Sequence, residues 1–418
     1  MNNVCIVGLG YVGKPLFRLC AQRLREHKVF GLELDKSRVE QLRTEIAMLR
    51  KDVYATTNPA EAISGADVIV VCVQTPVDEK HQPDLSVLET ACKTVATHMK
   101  KENKPLIIIE STVYPGTCGD VLRPVLESTG LKAGVDFALA HCPERIDPGN
   151  EKWPLEKIPR VVAAFTPAGA KRAAEFYHEI LEPGTEVLPL NSLKAAEAVK
   201  VTENTFRDIN IAFVNELAKS FAQMGIDTAE VIRGASTKPF GYMPFHPGPG
   251  VGGHCIPVDP YYLIKKARDQ GFDHKFLALA REINNSMPLY VAKLVEAMAQ
   301  ELGSGLKNTR ICILGISYKS EIDDTRNSPA VEIAELLKAS GADVIQFDPH
   351  AKKDSAASLG AALKGAKIVV LATAHKEFLS LLPETLKSAG VQGIVDARNV
   401  LDKDGIIAAG ILYQGIGR

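Results

Sequence analysis

Short runs of continuous Val, Ile and Leu alternate along the chain with longer stretches whose apolar residues recur at helical spacing. In the first half such runs occur at VCIVGLG (4–10), VFGLELD (29–35), ADVIVVCVQTP (66–76) and PLIIIEST (105–112), and a helix is predicted from Lys14 to about His27. Because the runs do not alternate with polar residues, they predict strands that are covered on both faces, as in a parallel sheet between helices. The repeated strand–helix order predicts a doubly wound α/β domain.

The pattern changes after Pro189. No Pro or Gly occurs from Asn191–Ser192, a suitable N-cap pair, to about Met224, which predicts one long helix, and further helical segments run to about Leu302. A second α/β pattern follows, with strand-like runs at RICILGISYK (310–319), ADVIQFDP (342–349), AKIVVLATA (366–374) and GIVDARN (393–399). We therefore expect an α/β protein with two doubly wound Rossmann-like domains, over 1–190 and 306–418. A long central helix and a helical middle domain over 191–305 are expected to join them.

Composition excludes several classes of protein. Lys+Arg (49) and Asp+Glu (50) nearly cancel, so no global positive charge favours nucleic acid or a membrane surface as a partner. No run of 18 apolar residues occurs, and the N-terminus lacks the basic region of a signal peptide, so we expect a cytoplasmic protein. The eight cysteines are scattered without a CxxC pair, which argues against a disulfide framework or a zinc site.

Gly8-Leu9-Gly10-Tyr11-Val12-Gly13 matches GxGxxG between a predicted strand and a predicted helix. Such glycines permit a tight turn, the approach of the backbone to a pyrophosphate, and close packing of helix on sheet. Glu33 ends the second strand, where a carboxylate binds the ribose hydroxyls of NAD and repels the 2′-phosphate of NADP; Asp35 is a competing candidate. An ordinary βα turn with an exposed glutamate is the alternative. The expected cofactor is NAD.

Cys255 has different surroundings from the other cysteines, in the Gly-rich sequence GVGGHCIPVDP (250–260). A helix is predicted to begin at Asp259–Pro260. A thiol near His254 and a helix N-terminus can have a lowered pKa and act as a nucleophile. A chance loop cysteine, with Asp259 merely capping the helix, is the alternative.

Polar residues elsewhere fall where a ligand cleft is expected. Lys200 and Asn204 are spaced i,i+4 on the long helix and could donate hydrogen bonds to an oxyanion, although a solvated face has the same spacing. Thr112 ends a predicted strand, and Glu144 could be a general base or a turn residue paired with Arg145 or Lys152. At the edges of the second α/β domain, basic side chains suit diphosphate oxygens or are ordinary surface charges: Lys319, Arg326 and Arg398, with Asp324 nearby.

Together these segments resemble the UDP-glucose/GDP-mannose dehydrogenase family, specifically its UDP-N-acetylhexosamine branch. The segments that carry the resemblance are VGLGYVG (7–13), ESTVYPGT (110–117), PERIDPG (143–149), KVTENTF (200–206), PGPGVGGHCIPVDPYYL (247–263), GISYKSEIDDTRNSP (315–329) and GIGR (415–418). The resemblance implies that the catalytic residues are Cys255, Lys200, Asn204, Asp259, Glu144 and Thr112. It implies cofactor contacts at Gly8, Gly10, Tyr11, Val12, Gly13, Glu33, Thr75, Thr112 and Arg326, and substrate contacts at Glu144, Lys200, Asn204, Phe245, Gly252, Lys319 and Arg398.

The activity that the resemblance implies is a four-electron, NAD-dependent oxidation of a UDP-N-acetylhexosamine at C6, through a thiohemiacetal and a thioester on Cys255. The product would be a polysaccharide precursor, the enzyme at least a homodimer, and no metal is implied. Some UDP-glucose enzymes carry a second glutamate four residues after the first, and this chain has Pro148 there, which argues against UDP-glucose. UDP-glucose 6-dehydrogenation, a one-step hydroxyacid dehydrogenase and a non-enzymatic NAD-binding regulator are the alternatives. The number of NADH released per sugar separates these classes: two for a 6-dehydrogenase, one for a one-step hydroxyacid dehydrogenase and none for a regulator.

Overall fold

The structure, a computed structural model, describes residues 3–46, 50–78, 82–147 and 150–418. The chain folds into two compact units, each built around one sheet. The first unit comprises Met1–Glu203 with Tyr261–Asp273, and the second comprises Asn204–Pro260 with His274–Arg418.

The sheet of the first unit has a Rossmann core. Its strands are β1 (Asn3–Val7), β2 (Lys28–Leu32), β3 (Val53–Thr56), β4 (Val68–Val71), β5 (Leu106–Ile109), β6 (Ala138–His141), β7 (Arg160–Ala164) and β8 (Val187–Pro189). They are ordered β3-β2-β1-β4-β5-β6-β7-β8, and β1 to β6 are parallel. The order of the first six is that of a dinucleotide-binding fold, in which ligands bind at the switch point between β1 and β4.

The sheet of the second unit has five parallel strands. They are β9 (Arg310–Leu314), β10 (Asp343–Phe347), β11 (Ile368–Leu371), β12 (Gly393–Asp396) and β13 (Leu412–Gly415), in the order β10-β9-β11-β12-β13. This is also a doubly wound order, with its switch point between β9 and β11. The sequence pattern missed the fifth strand because the run before the closing GIGR is short.

The helices of the first unit are α1 (Gly13–Arg23), α2 (Lys36–Ile46), α3 (Pro59–Ile63), α4 (Ser86–His98), α5 (Arg123–Leu126) and α6 (Pro167–Ile180). A π-helical turn lies at Thr117–Leu122, and 3₁₀ turns lie at Lys101–Asn103, Glu127–Thr129 and Leu155–Lys157. Helices α7 (Leu193–Met224) and α9 (Asp259–Asp269) each include a residue at which the chain passes from one unit to the other. The second unit adds α8 (Thr228–Ala235), α10 (Lys275–Asn285), α11 (Met287–Glu301), α12 (Pro329–Ala339), α13 (Leu359–Leu363), α14 (Lys376–Leu379), α15 (Pro383–Ser388) and α16 (Lys403–Ala408).

Continuous apolar runs became strands because both faces of each sheet are covered. In β5, Leu106 and Ile108 join the core cluster on one face, whereas Ile107 and Ile109 join the cluster on the other, and all four are fully buried. The strands of the second sheet divide between two clusters in the same way. The predicted α/β class with two Rossmann-like sheets and a helical middle region is confirmed. Among the described residues, no helix is long and apolar enough to cross a membrane.

Three details of the prediction were wrong. Strand β5 ends before Thr112, because the N–H groups of both Glu110 and Ser111 turn to the carbonyl of Val71 and stop the ladder. Strand β9 ends at Leu314, so Lys319 lies in the following loop. The backbone turns there at Gly315 (φ +93°), where a Cβ would lie 2.4 Å from that of Thr373.

The third difference is that β7 runs antiparallel to β6, so the first sheet is mixed. A parallel return needs a crossover, usually a helix, and the described part of this connection contains only the 3₁₀ turn Leu155–Lys157. Pro148, which distinguishes the chain from some UDP-glucose enzymes, lies outside the described residues.

Candidate active site

The Gly-rich turn after β1 has the geometry of a pyrophosphate site. Gly8 has φ +87°, a conformation that favours glycine, and a Cβ on Gly13 would lie 1.8 Å from the carbonyl oxygen of Gly8. By contrast, a Cβ on Gly10 would have no atom within 4 Å, so the backbone is open where a phosphate would approach. Val12 packs on the core, whereas Tyr11 is exposed. The three glycines therefore fit their separate roles at a dinucleotide.

Two carboxylates after β2 have different roles. Glu33 is largely buried and accepts hydrogen bonds from the N–H of Leu9, at 3.1 Å, and of Leu34, at 2.8 Å, so it faces the Gly-rich turn. Asp35 caps the start of α2 and accepts from the N–H and hydroxyl of Ser37. The hydroxyl bond lowers the pKa of Asp35. This arrangement favours Glu33 as the ribose ligand.

The loop after β5 is tied to its neighbours by hydrogen bonds. The hydroxyl of Thr75 donates to the carbonyl of Thr112 at 2.7 Å, and the hydroxyl of Tyr262 donates to the carbonyl of Thr75 at 2.5 Å. On α7, the buried carboxylate of Glu197 accepts from the N–H of Gly116 at 2.5 Å and of Cys118 at 2.6 Å. The only signal for Glu197 in the sequence is that it lies one turn before Lys200 on the same helix, so it was not among the predicted site residues.

Lys200 and Glu144 meet in the first unit. The ammonium of Lys200 donates to Oε2 of Glu144 at 3.1 Å, and both side chains are at least nine-tenths buried. The other oxygen of Glu144 accepts from the N–H of Ile146. Arg145 instead pairs with Glu203, so the alternative pairing of Glu144 with Arg145 is not the one observed. Strand β6 brings Glu144 to the carboxyl edge of the sheet, and α7 brings Lys200 to it.

A second buried charged group lies near the carboxyl end of β5. Glu110 accepts a hydrogen bond from the hydroxyl of Tyr177 at 2.5 Å, and Arg160 lies 3.8 Å away, with all three side chains fully or almost fully buried. Burial raises the pKa of Glu110. No pattern in the sequence distinguished these residues from surface charges.

In the second unit, Cys255 begins the turn that leads into α9. Its carbonyl accepts from the N–H groups of Val258 and Asp259, and the carboxylate of Asp259 in turn accepts from the amide of Asn204 at 2.5 Å. Asn204 and Asp259 are both buried. Nδ1 of His254 lies 3.8 Å from the sulfur of Cys255.

Burial separates Cys255 from the other cysteines. The other seven are buried, and Cys255 is half-buried. Burial raises the pKa of the Cys92 thiol to about 12 and raises that of Cys118 well above its ordinary value. Because the thiolate is the reactive form, the buried thiols are poor nucleophiles.

Basic side chains predicted to contact ligands lie on two loops of the second unit. Arg326 forms a bidentate pair with Asp324, at 2.9 and 2.6 Å. Burial raises the pKa of Asp324, but the hydrogen bonds from Arg326 outweigh it and the net pKa is lowered. Lys319 is half-buried in the same loop, which follows β9.

Arg398 follows β12, and its Nε donates to the carbonyl of Ala372 at 2.7 Å. Desolvation lowers the pKa of Arg398 to about 10, against the opposing charge of Asp396. A Cβ on Gly248 would lie 3.0 Å from the Arg398 guanidinium, so the glycine lets this arginine reach the start of the Cys255 loop.

A buried polar network that was not predicted from the sequence supports the same loop. Asn215 of α7 accepts from the N–H of Gly248 at 2.9 Å and donates to Asn284 at 2.9 Å. Asn284 and Arg281 both donate to Asp208. Desolvation raises the pKa of Asp208. Polar side chains of α7 and α10 thus face each other rather than solvent.

The aromatic segment before the Cys255 loop does not close a pocket on this chain. Phe240 is 71% exposed and Met243 is 62% exposed. Phe245 packs edge-on against Phe206, with ring centroids 5.9 Å apart. Phe240 and Met243 are therefore largely open to solvent on this chain.

One group within the described ranges has the ligand types for a metal ion. Single atoms of Glu321, His350 and His375 lie within 4.8 Å of one another. However, Nδ1 of His375 already accepts the N–H of Glu321 at 3.0 Å, and the Glu321 carboxylate accepts the N–H of Lys376 at 2.9 Å. These atoms are therefore engaged in holding the loop after β9.

Comparison with known proteins gives full-length matches. Within the UDP-glucose/GDP-mannose dehydrogenase family, the NAD binding domain matches residues 2–181, the central domain 194–286 and the UDP binding domain 312–403. The UDP-N-acetyl-D-glucosamine 6-dehydrogenase of Pseudomonas aeruginosa is 37% identical over 96% of this chain and 98% of its own length. The UDP-N-acetyl-D-mannosamine dehydrogenase of Pyrococcus horikoshii is 35% identical over 100% of this chain and 99% of its own length. A solved structure of UDP-D-ManNAc dehydrogenase from Pyrococcus horikoshii has a TM-score of 0.90 at 33% identity, covering 100% of this chain and 99% of that one.

Proposed function

Since the chain belongs to the UDP-glucose/GDP-mannose dehydrogenase family, as its sequence resemblance predicted, we propose that it oxidises a UDP-N-acetylhexosamine at C6 to the uronate. The substrate is UDP-N-acetylglucosamine or UDP-N-acetylmannosamine, and the confirmed cofactor is NAD. The observation that carries the proposal is the setting of Cys255. It is the half-buried thiol among eight cysteines, and its carbonyl opens a helix whose first carboxylate, Asp259, is bonded to Asn204.

The residues that would hold NAD are the Gly-rich turn, Glu33, Thr75, Thr112 and Arg326. When bound, NAD⁺ supplies the hydride acceptor for both oxidations, so that one alcohol and one water give one carboxylate, two NADH and three protons. Glu33 binds the ribose and excludes a 2′-phosphate by charge. Lys319 and Arg398, with Phe245 and Gly252, contact the substrate.

The first oxidation needs a base for the C6 hydroxyl. The hydroxyl loses this proton through a water held by Asp259 and Lys200, which relays it to the Asp259 carboxylate. The buried hydrogen bond from Asn204 keeps the Asp259 carboxylate in one orientation. The thiolate of Cys255 then attacks the aldehyde carbon: a C–S bond forms, the π electrons move to oxygen, and that oxygen takes a proton to give the thiohemiacetal.

The second oxidation leaves a thioester on Cys255, which water must hydrolyse. Thr112 orients that water and Glu144 removes its proton, while Lys200 and Asn204 donate hydrogen bonds to the oxyanion. Collapse of the tetrahedral intermediate breaks the C–S bond and returns the thiolate. The contact between Lys200 and Glu144, at 3.1 Å, supports a shared site for base and oxyanion donor.

The oligomeric state and the cellular location of the enzyme can also be inferred. We infer a homodimer or higher oligomer, with the exposed Phe206 and Phe213 of α7 available for its interface. The three-domain division at 1–190, 191–305 and 306–418 stays a prediction. NAD and nucleotide sugars are cytoplasmic metabolites, so we infer a cytoplasmic enzyme whose product serves polysaccharide synthesis.

The test is to incubate the protein with NAD⁺ and UDP-N-acetylglucosamine, UDP-N-acetylmannosamine or UDP-glucose, and to count the NADH released per sugar consumed. We expect two NADH per acetamido sugar, and kcat/KM for at least one of them about tenfold or more above that for UDP-glucose, because a site that bonds an amide has unpaired polar groups when a hydroxyl replaces it. One NADH per sugar would instead indicate a one-step dehydrogenase, and none a regulator. UDP-glucose matching both acetamido sugars would leave the dehydrogenase and refute the sugar assignment.

A further inference from the structure

The Gly-rich backbone just before Cys255 is fastened to the loop that follows β9. The N–H of Gly253 donates to the carbonyl of Arg326 at 3.0 Å, and the side-chain amide of Asn327 donates to the carbonyl of Gly253 at 3.0 Å. Both hydrogen-bonding groups of the Gly253 backbone are therefore used by two consecutive residues of one loop. This backbone lies two residues from the thiol.

Close packing adds to these hydrogen bonds. A Cβ on Gly252 would lie 2.6 Å from that of Tyr318 and 2.8 Å from the carbonyl of Asn327, and a Cβ on Gly253 would lie 2.8 Å from the Tyr318 ring. Gly253 also has φ +90°. Only glycine fits between the tyrosine ring and the loop backbone, which explains two adjacent glycines here without invoking a ligand.

The loop that follows β9 is itself held by hydrogen bonds to buried side chains. The carboxylate of Asp348 accepts from the N–H of Ile316 at 2.7 Å and of Ser317 at 2.9 Å, and Nδ1 of His375 accepts from the N–H of Glu321. Asp348 and His375 are fully buried. The loop after β9 is therefore held by hydrogen bonds to two buried side chains of the same unit.

We propose that Tyr318 and Asn327 are positioning residues for Cys255, which they act on through Gly252 and Gly253. This inference rests on the proposed function, because it takes Cys255 as the nucleophile. The loop that fastens the thiol also carries Lys319 and Arg326, the proposed contacts for substrate and NAD. One loop thus carries these proposed ligand contacts and also holds the backbone before the attacking sulfur, and Tyr318 and Asn327 themselves take no part in the chemistry.

The chemical consequence concerns the aldehyde between the two oxidations. If the sulfur is displaced, the C–S bond forms more slowly and the aldehyde dissociates before it is trapped. A displacement of about 1 Å at a reacting centre costs about a hundredfold in rate, and losing one fastening contact should cost about tenfold. The first oxidation does not use the sulfur and is affected less.

The experiment compares Asn327→Gly and Tyr318→Ala with matched controls. Asn327 has φ +49°, so glycine removes the side-chain donor without backbone strain. Asn308→Gly is the control, because Asn308 has φ +60°, is exposed and lies before β9, at the opposite end of that strand from the loop. Tyr318→Phe keeps the ring against Gly253 and tests whether the ring is sufficient.

Two readouts are measured for each variant and the unmutated enzyme. The first is NADH per sugar, together with aldehyde released to solution, which is reduced with borodeuteride after removal of protein and counted by mass spectrometry as UDP-sugar carrying one deuterium. The second is the rate at which iodoacetamide alkylates Cys255 without substrate or NAD, followed on the peptide. The second readout does not depend on turnover.

For Asn327→Gly and Tyr318→Ala we expect kcat about tenfold lower, with KM within about twofold of the unmutated value. NADH per sugar should fall from two toward one, deuterated sugar should appear, and Cys255 alkylation should change at least about threefold because the thiol environment changes. Asn308→Gly should keep two NADH per sugar and the unmutated alkylation rate. Tyr318→Phe, which keeps the ring against Gly253, should remain closer to the unmutated enzyme than Tyr318→Ala in both readouts.

Asn327→Gly and Tyr318→Ala with unmutated stoichiometry and alkylation would overturn the inference. So would a rise in KM without released aldehyde, since that result assigns these residues to ligand binding. Thermal melts that match Asn308→Gly exclude misfolding. If the unmutated protein oxidises no UDP-sugar, the proposed function fails, and the alkylation comparison still decides whether Tyr318 and Asn327 position Cys255.

Discussion

Replacement of Lys200 with methionine tests the buried pair and the oxyanion role together. Methionine has a similar length to lysine but no charge. The carboxylate of Glu144, whose side chain is 8% exposed, would therefore lose the ammonium that lies 3.1 Å away. Removing one member of a buried ion pair typically costs 3 to 5 kcal/mol. Because Glu144 keeps the hydrogen bond from the N–H of Ile146, we expect the lower end, about 3 kcal/mol in the free energy of unfolding.

The same substitution removes a donor to the proposed oxyanion, which should lower kcat by about a hundredfold to a thousandfold. The control is the double variant Lys200→Met/Glu144→Gln, in which the carboxylate that paired with Lys200 is replaced by a neutral amide. We expect the double variant to recover most of the lost stability but none of the lost activity, since both proposed catalytic groups are gone. Urea unfolding measures the first quantity, and the initial rate of NADH formation at saturating substrates measures the second.

Stability and activity can each depart from these expectations separately. Unchanged unfolding free energy in Lys200→Met would mean that the pair is solvated and contributes nothing. A kcat equal to that of the unmutated enzyme would remove Lys200 from the chemistry. A double variant as unstable as the single one would show that the cost comes from lost packing of the lysine stem rather than from the buried carboxylate.

Three further predictions concern other parts of the molecule. Cys255→Ser should abolish carboxylate formation, because a hydroxyl is a much weaker nucleophile, but should leave the affinities for NAD and UDP-sugar near normal. Carboxylate formation at the unmutated rate in a steady-state assay would refute the covalent mechanism. Glu33→Ala should weaken NAD binding and lower the ratio of kcat/KM with NAD to kcat/KM with NADP. Equal kcat/KM for the two cofactors in the unmutated enzyme would contradict the assignment of Glu33. Burial raises the pKa of Asp348, but hydrogen bonds from His375 and the Ser317 N–H hold it well below the ordinary value. Its stabilisation is therefore present at neutral pH and lost as pH falls below about 4, and Asp348→Asn should be less stable at pH 7 with a flatter acid-side profile in urea titrations; parallel profiles would contradict this.

Much of the fold was predictable from local pattern. Runs such as PLIIIEST cannot be exposed on either face, so they predicted buried strands, and GxGxxG placed the first ligand loop. The prediction failed where hydrogen bonding rather than side-chain character decides the outcome. Strand β9 stops near Leu314 because, after Gly315, the N–H groups of Ile316 and Ser317 bond to the Asp348 carboxylate rather than to a strand, and apolar Ile316 gives no sign of this. The antiparallel return of β7 likewise depends on the path of the preceding connection.

In the candidate site, too, some features were predictable from local sequence and others were not. Cys255, Lys200 and Asn204 were predictable as candidates because their residue types and spacing suit the chemistry. Glu33 was predictable as the ribose ligand because it follows the second strand directly. Which oxygen meets which donor was not predictable. Glu144 bonds to Lys200, 56 residues away, rather than to its neighbour Arg145, and Asn204 bonds to Asp259, 55 residues away. Glu197 and Asn327 gave no signal, because their role consists of bonds to distant backbone groups.

By itself, then, the sequence determined the α/β class, the dinucleotide turn, the nucleophile candidate and the family, because each depends on residues close together in the chain. Tertiary structure alone decided which charges are paired and buried, and which loop fastens the cysteine. These properties depend on distances between segments far apart in sequence, and a hydrogen bond is formed or lost over less than about 1 Å. Local composition does not encode distances on that scale; the packing of strands and helices sets them.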